Sequence, residues 1–257
     1  MNSVHYLEGD HAVEPDLTPI SLQESFRFSC SPDVPCFNEC CRDLNQFLTP
    51  YDILRLKNHL ELSSGEFLRI YTAQHIGPES GLPIVTLKPN DPHQLTCPFV
   101  TDAGCRVYEN RPSSCRTYPL MRAVSRSKST GEMTAQFMVL RESHCHGFEK
   151  GKTWTPQHWI DEQGLAIYNE NNDKLMQIIS LKNRLIQGPL DMKSSHHFYT
   201  ALYDLDDFRL QIQNSRLLDN FQVNSRIMDA ALENDVALLD LGMEWIKCVL
   251  FNSGSSG

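Results

Sequence analysis

PCFNECCRDL, residues 35–44, carries three cysteines within six residues, two of them adjacent. Free thiols that close together exchange and oxidise unless something holds them. Cys36 and Cys40 stand four apart, so a helix would project both from one face, one turn apart. Pro35 suits a helix start. A thiol in a first turn feels the positive end of the helix dipole, which favours the metal-binding thiolate. Cys41 would then be rotated by about 100° from Cys40. The pair cannot easily serve one tetrahedral ion without distorting the backbone. Either the segment unwinds, or Cys40 and Cys41 face different centres.

The other thiols lie further out. Cys30 sits six residues upstream of Cys36. Cys97 and Cys105 flank a turn that would bring them close, and Cys115 follows in a compact turn after Arg111 and Pro112. Cys145 lies in SHCHGF (143–148), between His144 and His146, which read as solvated loop residues before they read as ligands. Of nine cysteines only Cys248 lies beyond residue 150, and its helical pattern makes it a small buried hydrophobe. Soft thiolates select zinc, copper(I) or iron–sulfur clusters over calcium or magnesium. Four-sulfur sets suit structural zinc or a [4Fe–4S] cluster. Eight cysteines allow two four-coordinate sets, and one polynuclear cluster with spare ligands fits equally. A disulfide relay is a further alternative.

The chain has 257 residues, 40% hydrophobic and 21% charged, with a net charge of −9. Such a chain buries an ordinary core and needs no disulfides to offset small size. Its charge argues against a nucleic-acid-binding surface, which needs clustered Lys and Arg. A local basic group does exist: Arg106, Arg111, Arg116, Arg122 and Arg126 crowd one segment. Those around Cys115 either pair with the acidic surface, or stabilise a thiolate-rich, negatively charged centre or bind an anionic substrate beside it. The start of the chain lacks the pattern of a secretory signal, and no run approaches the ~20 apolar residues of a membrane span. No membrane association and a cytoplasmic location are expected, where clustered cysteines read as metal-binding or catalytic.

LTPYDILRLKNHL (48–60) predicts a helix capped by Thr49 with Pro50 in its first turn. SSGEFLRIYTAQHI (63–76) predicts a second, with Ser63 and Glu66 as a capping box. LPIVTLK (82–88) is strand-like. CPFVTDAGCRVYE (97–109) predicts two short strands about a turn at 102–104, and RPSSCRTYP (111–119) a single helical turn or a plain turn. Residues 119–127 and 133–141 form another expected hairpin. Beyond residue 154 three helices are expected, at 155–186, 196–213 and 226–251. Trp154 and Trp159 read as core contacts. The closing SGSSG reads as a flexible tail or a cloning remnant.

CSPDVPCFNECCRD (30–43), LTPYDILRL, SSGEFLRIY and CPFVTDAGCRVYENRPSSCRTYPL (97–120) resemble the cysteine-cluster family described as a zinc- or iron-chelating domain, to which flagellin lysine N-methylases belong. The resemblance covers roughly residues 28 to 173. It implies a bound iron–sulfur or zinc centre, with ligands drawn from Cys36, Cys40, Cys41, Cys97, Cys105 and Cys115. Cys30 and Cys145 complete the candidate set. A methylase activity would use S-adenosylmethionine and a flagellin-like protein substrate, yet no glycine-rich strand-to-helix turn for a nucleoside cofactor is visible. A zinc-stabilised module that binds a protein partner is the third reading.

The expected architecture is therefore α+β. A small antiparallel sheet and short helices form a cysteine-rich metal-binding unit at 22–152. A C-terminal helical subdomain covers 153–251, and a tail covers 252–257.

Overall fold

The structure is a computed structural model that describes residues 16–251 except 43, 128, 216 and 220. The expected tail at 252–257 lies outside the described residues. The chain order begins with β1 (Asp16–Ile20), β2 (Phe26–Phe28), β3 (Phe47–Leu48), α1 (Pro50–His59) and α2 (Ser64–Tyr71). Then come β4 (Thr72–Ile76), β5 (Pro83–Leu87), β6 (Val100–Thr101), β7 (Gly104–Cys105) and α3 (Ser113–Thr117). The strands end with β8 (Leu120–Arg126), β9 (Met133–Arg141) and β10 (Lys152–Trp154). Six helices follow: α4 (Pro156–Glu162), α5 (Ala166–Leu185), α6 (Met192–Leu202), α7 (Leu205–Asn214), α8 (Ser225–Glu233) and α9 (Asp235–Phe251).

The fold is α+β, as expected. Among the described residues the strands form four small antiparallel sheets rather than one: β1-β9-β8, β10-β2, β3-β5-β4 and β6-β7. Both predicted caps are present. Thr49 and Asp52 exchange side-chain and backbone hydrogen bonds at the start of α1, and Ser63 and Glu66 do so at α2. No helix among the described residues is long and apolar enough to cross a membrane.

Helix lengths depart from expectation in a consistent way. The helix expected at 63–76 stops at Tyr71. Thr72 Oγ1 donates to Leu68 O at 2.7 Å, closing the last turn, and residues 72–76 pair with β5 instead. The helix expected at 155–186 breaks at Gly164, whose φ of 59° is left-handed and ends α4. The one expected at 196–213 breaks before α7. Asp204 and Asp206 are drawn to Ser64: Ser64 N–H donates to Asp206 Oδ2 at 2.6 Å, and Asp206 N–H donates to Ser64 Oγ at 2.9 Å. Each helix thus caps the other across the fold. The helix expected at 226–251 breaks at Asn234, whose Oδ1 accepts the Val236 and Ala237 N–H groups that open α9.

Buried apolar side chains sort into two clusters. The larger joins α1, α2, β3, β5 and helices α5–α9, through Tyr51, Phe67, Val85, Tyr168, Ile178, Phe208 and Ile246. It draws on residues from both sides of residue 153. The smaller contains Phe26, Phe28, Leu120, Val139, Trp154, Trp159 and Leu165. Both tryptophans are core residues, and Phe28 meets Trp159 edge to face at 5.6 Å. Cys97 and Cys105 pack against the larger cluster, and Cys145 against the smaller.

A charged joint ties α1 to α7 and α9. The buried Lys57 ammonium lies 2.8 Å from Asp235 and 3.5 Å from Asp206, and Arg209 bridges the same two carboxylates. Both acids sit at helix N-termini, where the dipole favours them. Burial acts to raise the Asp235 carboxyl, but hydrogen bonds from Lys57, Arg209 and Asn58 outweigh it and hold it at about 2, below the ordinary value of 3.8. A depressed folded pKa gives stability that is present above the unfolded value and lost as pH falls through the folded one. Acidification from about pH 5 to about pH 2 is therefore expected to remove about 2 kcal/mol through this group. Urea midpoints across that range will show it. If Asp235→Asn leaves the acid slope unchanged, the joint does not carry it.

Candidate metal centre

The cysteine-rich segment is not an α-helix. After β2 the chain makes successive turns, with Val34 N–H to Ser31 O at 3.0 Å and Phe37 N–H to Val34 O at 2.9 Å. Asn38 then adopts φ of 70°, and Glu39–Cys41 form one 3-10 turn. The predicted α-helical face for Cys36 and Cys40 is therefore replaced by an unwound path. The cause is tertiary. Asn38 Nδ2 donates to Thr101 O at 3.0 Å, and the Phe37 ring lies against Gly104, where a Cβ would stand 3.1 Å from Cζ. Gly104 has φ of 115°, so the turn between β6 and β7 needs glycine twice over.

Long-range backbone bonds gather the thiols. Cys97 N–H donates to Cys41 O at 2.8 Å. Residues Val100 and Cys105 pair across β6 and β7, so the expected hairpin brings Cys105 back toward Cys97. Ser29 N–H donates to Gly147 O at 2.9 Å, and His146 N–H donates to the Cys36 sulfur at 3.1 Å. These bonds set Cys30 and Cys36 beside the Cys145 loop.

Cys115 sits on α3, and Asp52 places that helix. Asp52 Oδ1 accepts Ser113 N–H at 2.7 Å, and Oδ2 accepts Ser113 Oγ at 3.1 Å and Thr49 N–H at 2.9 Å. One fully buried carboxylate thus opens both α1 and α3. Burial pushes its carboxyl up, while the Thr49 and Ser113 donors act the other way. The Cys115 thiol points to Gln46 Oε1 at 3.5 Å.

All nine cysteines are free. Cys30, Cys40 and Cys115 are exposed by area, and the other candidate ligands are half-buried. Desolvation nevertheless pushes the Cys30 thiol up to about 11 and that of Cys115 to about 12. Burial also raises Cys97, Cys105 and Cys145, and a hydrogen bond with Cys40, followed by burial, raises Cys41. The same Cys41 contact lowers Cys40 to about 7. Burial raises these thiols because water no longer stabilises their charged form.

The arginines divide. Arg122 makes a two-pronged pair with Asp173 at 2.7 and 2.8 Å, so the acidic-pairing reading holds for it. Arg116 is buried among carbonyls, donating to Gln163 O and Glu109 O, each at 2.6 Å. Arg111 is also buried. It stacks on the Tyr108 ring at 3.8 Å and donates to Tyr108 O and to Gln163. Among the described residues no carboxylate pairs with Arg111. Burial pulls its pKa down, whereas the sulfurs of Cys115 and Cys105 act in the opposite sense.

His146 pairs with Glu149 at 2.5 Å and His144 approaches Glu142 at 3.8 Å, so both turn toward carboxylates. Cys248 is half-buried in α9, apart from the candidate ligands in sequence and element.

The donor chemistry fits a soft metal: sulfurs from separate segments converge, and a buried guanidinium beside them has no carboxylate partner among the described residues. As they stand, no three His, Cys, Asp or Glu side chains among the described residues are arranged to hold one ion. Instead thiols pair with thiols, Cys40 with Cys41 and Cys36 with Cys145. Sequence reasoning missed Gln46 and the second role of Asp52. The capping pattern revealed Asp52 but not its distant partner Ser113.

Residues 29–146 match the family model CxxCxxCC, "Putative zinc- or iron-chelating domain", which is the family the cysteine motifs resemble. The match starts one residue before Cys30 and ends one after Cys145, enclosing all eight candidate ligands. No curated protein and no solved structure matches the chain.

Proposed function

We propose that residues 29–146 hold a zinc or iron centre through Cys30, Cys36, Cys40, Cys41, Cys97, Cys105, Cys115 and Cys145, and that the centre is of the iron–sulfur type. The observation that carries this reading is that three thiols distant in sequence, Cys30, Cys105 and Cys115, lie near the buried Arg111. Neutral thiols leave that buried cation without compensation. Metal-bound thiolates supply it, because ligation deprotonates cysteine.

Clustered thiolates select zinc or iron–sulfur over hard cations, and four-sulfur sets serve either a structural zinc or a [4Fe–4S] cluster. A reducing compartment such as the cytoplasm suits a site built from free thiols.

The centre joins the segment 29–41, the hairpin at 97–105, α3 and the Cys145 loop. Its binding free energy becomes folding free energy for these short, loosely paired elements.

Elemental analysis and sulfide determination on anaerobically purified protein will decide the metal. The expected result is a brown protein, absorbing near ~400 nm, that contains iron and acid-labile sulfide. A colourless protein with stoichiometric zinc would replace iron–sulfur with zinc. A protein with neither metal would end the reading.

A further inference from the structure

We propose that Cys36 and Cys145 close a reversible disulfide that withdraws both sulfurs from metal binding, so that thiol oxidation controls loading of the centre. This inference rests on the metal-centre reading and adds its regulation.

Geometry singles out this pair. His146 N–H donates to the Cys36 sulfur at 3.1 Å, which sets that sulfur one peptide unit from Cys145. The two thiols also hydrogen-bond each other. Both are free and half-buried, so each keeps a surface that a small oxidant can reach.

The surrounding backbone holds the pair in place. Ser29 N–H donates to Gly147 O at 2.9 Å, and Cys145 N–H donates to Glu142 O at 2.9 Å. On the other side, Glu39 N–H donates to Cys36 O at 3.0 Å. The loop presses on the end of β2: a Cβ on Gly147 would stand 2.6 Å from the Phe28 ring. The bond therefore needs little movement of either segment.

Cys40 and Cys41 also touch, but they are a poorer disulfide pair. Consecutive Cα atoms lie about 3.8 Å apart across a trans peptide, whereas disulfides usually span about 4.4–6.8 Å. Closing that pair would distort the 3-10 turn.

The oxidant is a small-molecule disulfide, the oxidised form of a thiol buffer. One of the two cysteines attacks it as thiolate. A mixed S–S bond forms, the oxidant's own S–S bond breaks, and one small thiolate leaves and takes up a proton. The other cysteine loses its proton and attacks the first protein sulfur, and a second small thiol leaves. The protein gives up two electrons and two protons, and the oxidant becomes two thiols. Excess small thiol reverses both steps. Metal ligation needs thiolate, so the oxidised pair is lost as ligands.

The full-length protein, reduced and stripped of metal, is incubated anaerobically with oxidised glutathione. Remaining thiols are alkylated, and linkages are mapped by proteolysis and mass spectrometry. The expected product joins Cys36 to Cys145. Cys36→Ser should abolish it, whereas Cys30→Ser and Cys40→Ser should leave it. Co(II) binding, read by thiolate charge-transfer absorption, is then compared between reduced and crosslinked protein. Loss of an outer-shell partner already lowers metal affinity about 10–100-fold, so loss of two ligands should lower it further. Bound metal should slow the crosslinking, and a chelator should restore it.

A crosslink to Cys145 that persists in Cys36→Ser overturns the pairing. So does Cys145 recovered from the unaltered chain as free thiol or joined only to glutathione. Equal Co(II) affinity of reduced and crosslinked protein, or crosslinking that bound metal does not slow, overturns the control of loading. Reduced protein that binds no Co(II) ends the metal-centre reading and the switch with it, a result distinct from the others.

Discussion

Anaerobic removal of the metal with a chelator is expected to lower the midpoint of thermal unfolding by about 8–16 °C. A ligand present at a thousand times its Kd stabilises the folded state by about 4 kcal/mol. For a chain of this size each kcal/mol moves the midpoint by about 2–4 °C. The loss should be local before it is global. Helices α5–α9 bury much of the larger apolar cluster themselves, through Tyr168, Ile178, Phe198, Leu238 and Ile246. The sulfur-bearing segments are turns, two-residue strands and a five-residue helix, whose own hydrogen bonds hold little. Hydrogen exchange should therefore accelerate at 29–41 and 97–118 while the helical dichroism persists. A midpoint that ignores the chelator would show that metal takes no part in folding.

Asp52→Ala is expected to cost about 3–5 kcal/mol, measured from urea unfolding. The carboxylate is fully buried and accepts from Thr49 N–H, Ser113 N–H and Ser113 Oγ. Alanine leaves these donors without an acceptor, and an unsatisfied buried polar group costs about 1–3 kcal/mol. Asp52→Asn should also destabilise, because an amide NH2 in place of one oxygen opposes donor to donor. Metal affinity should fall with both variants, since α3 and Cys115 lose their anchor. If Asp52→Ala unfolds at the same urea concentration as the parent, the double cap has no energetic weight. If stability falls but metal content at saturating iron and sulfide does not, Asp52 serves the fold and not the centre.

Much of the chain was legible before folding. The Thr49–Asp52 and Ser63–Glu66 caps are contacts between residues three apart, so composition and spacing reveal them. The hairpins at 97–109 and 119–141 follow from alternating patterns with turn residues between them. The cysteine motif announced soft-metal chemistry because residue type alone carries that information. Helix ends were less legible. Gly164 and Asn234 stand within otherwise helical patterns, and Ser64 interrupts the pattern at Asp204 from a distant part of the chain.

The grouping of the thiols could not be read along the chain. It depends on bonds such as His146 N–H to the Cys36 sulfur, 110 residues apart, and Ser113 N–H to Asp52, 61 residues apart. The same holds for Arg111, whose want of an acidic partner among the described residues is a property of its packed surroundings. Sequence determined which elements form and which class of metal the side chains prefer, because both are settled within a few residues. Only the tertiary structure decided which sulfurs are neighbours, because closing loops of that length takes the burial of two apolar clusters to offset the lost chain entropy.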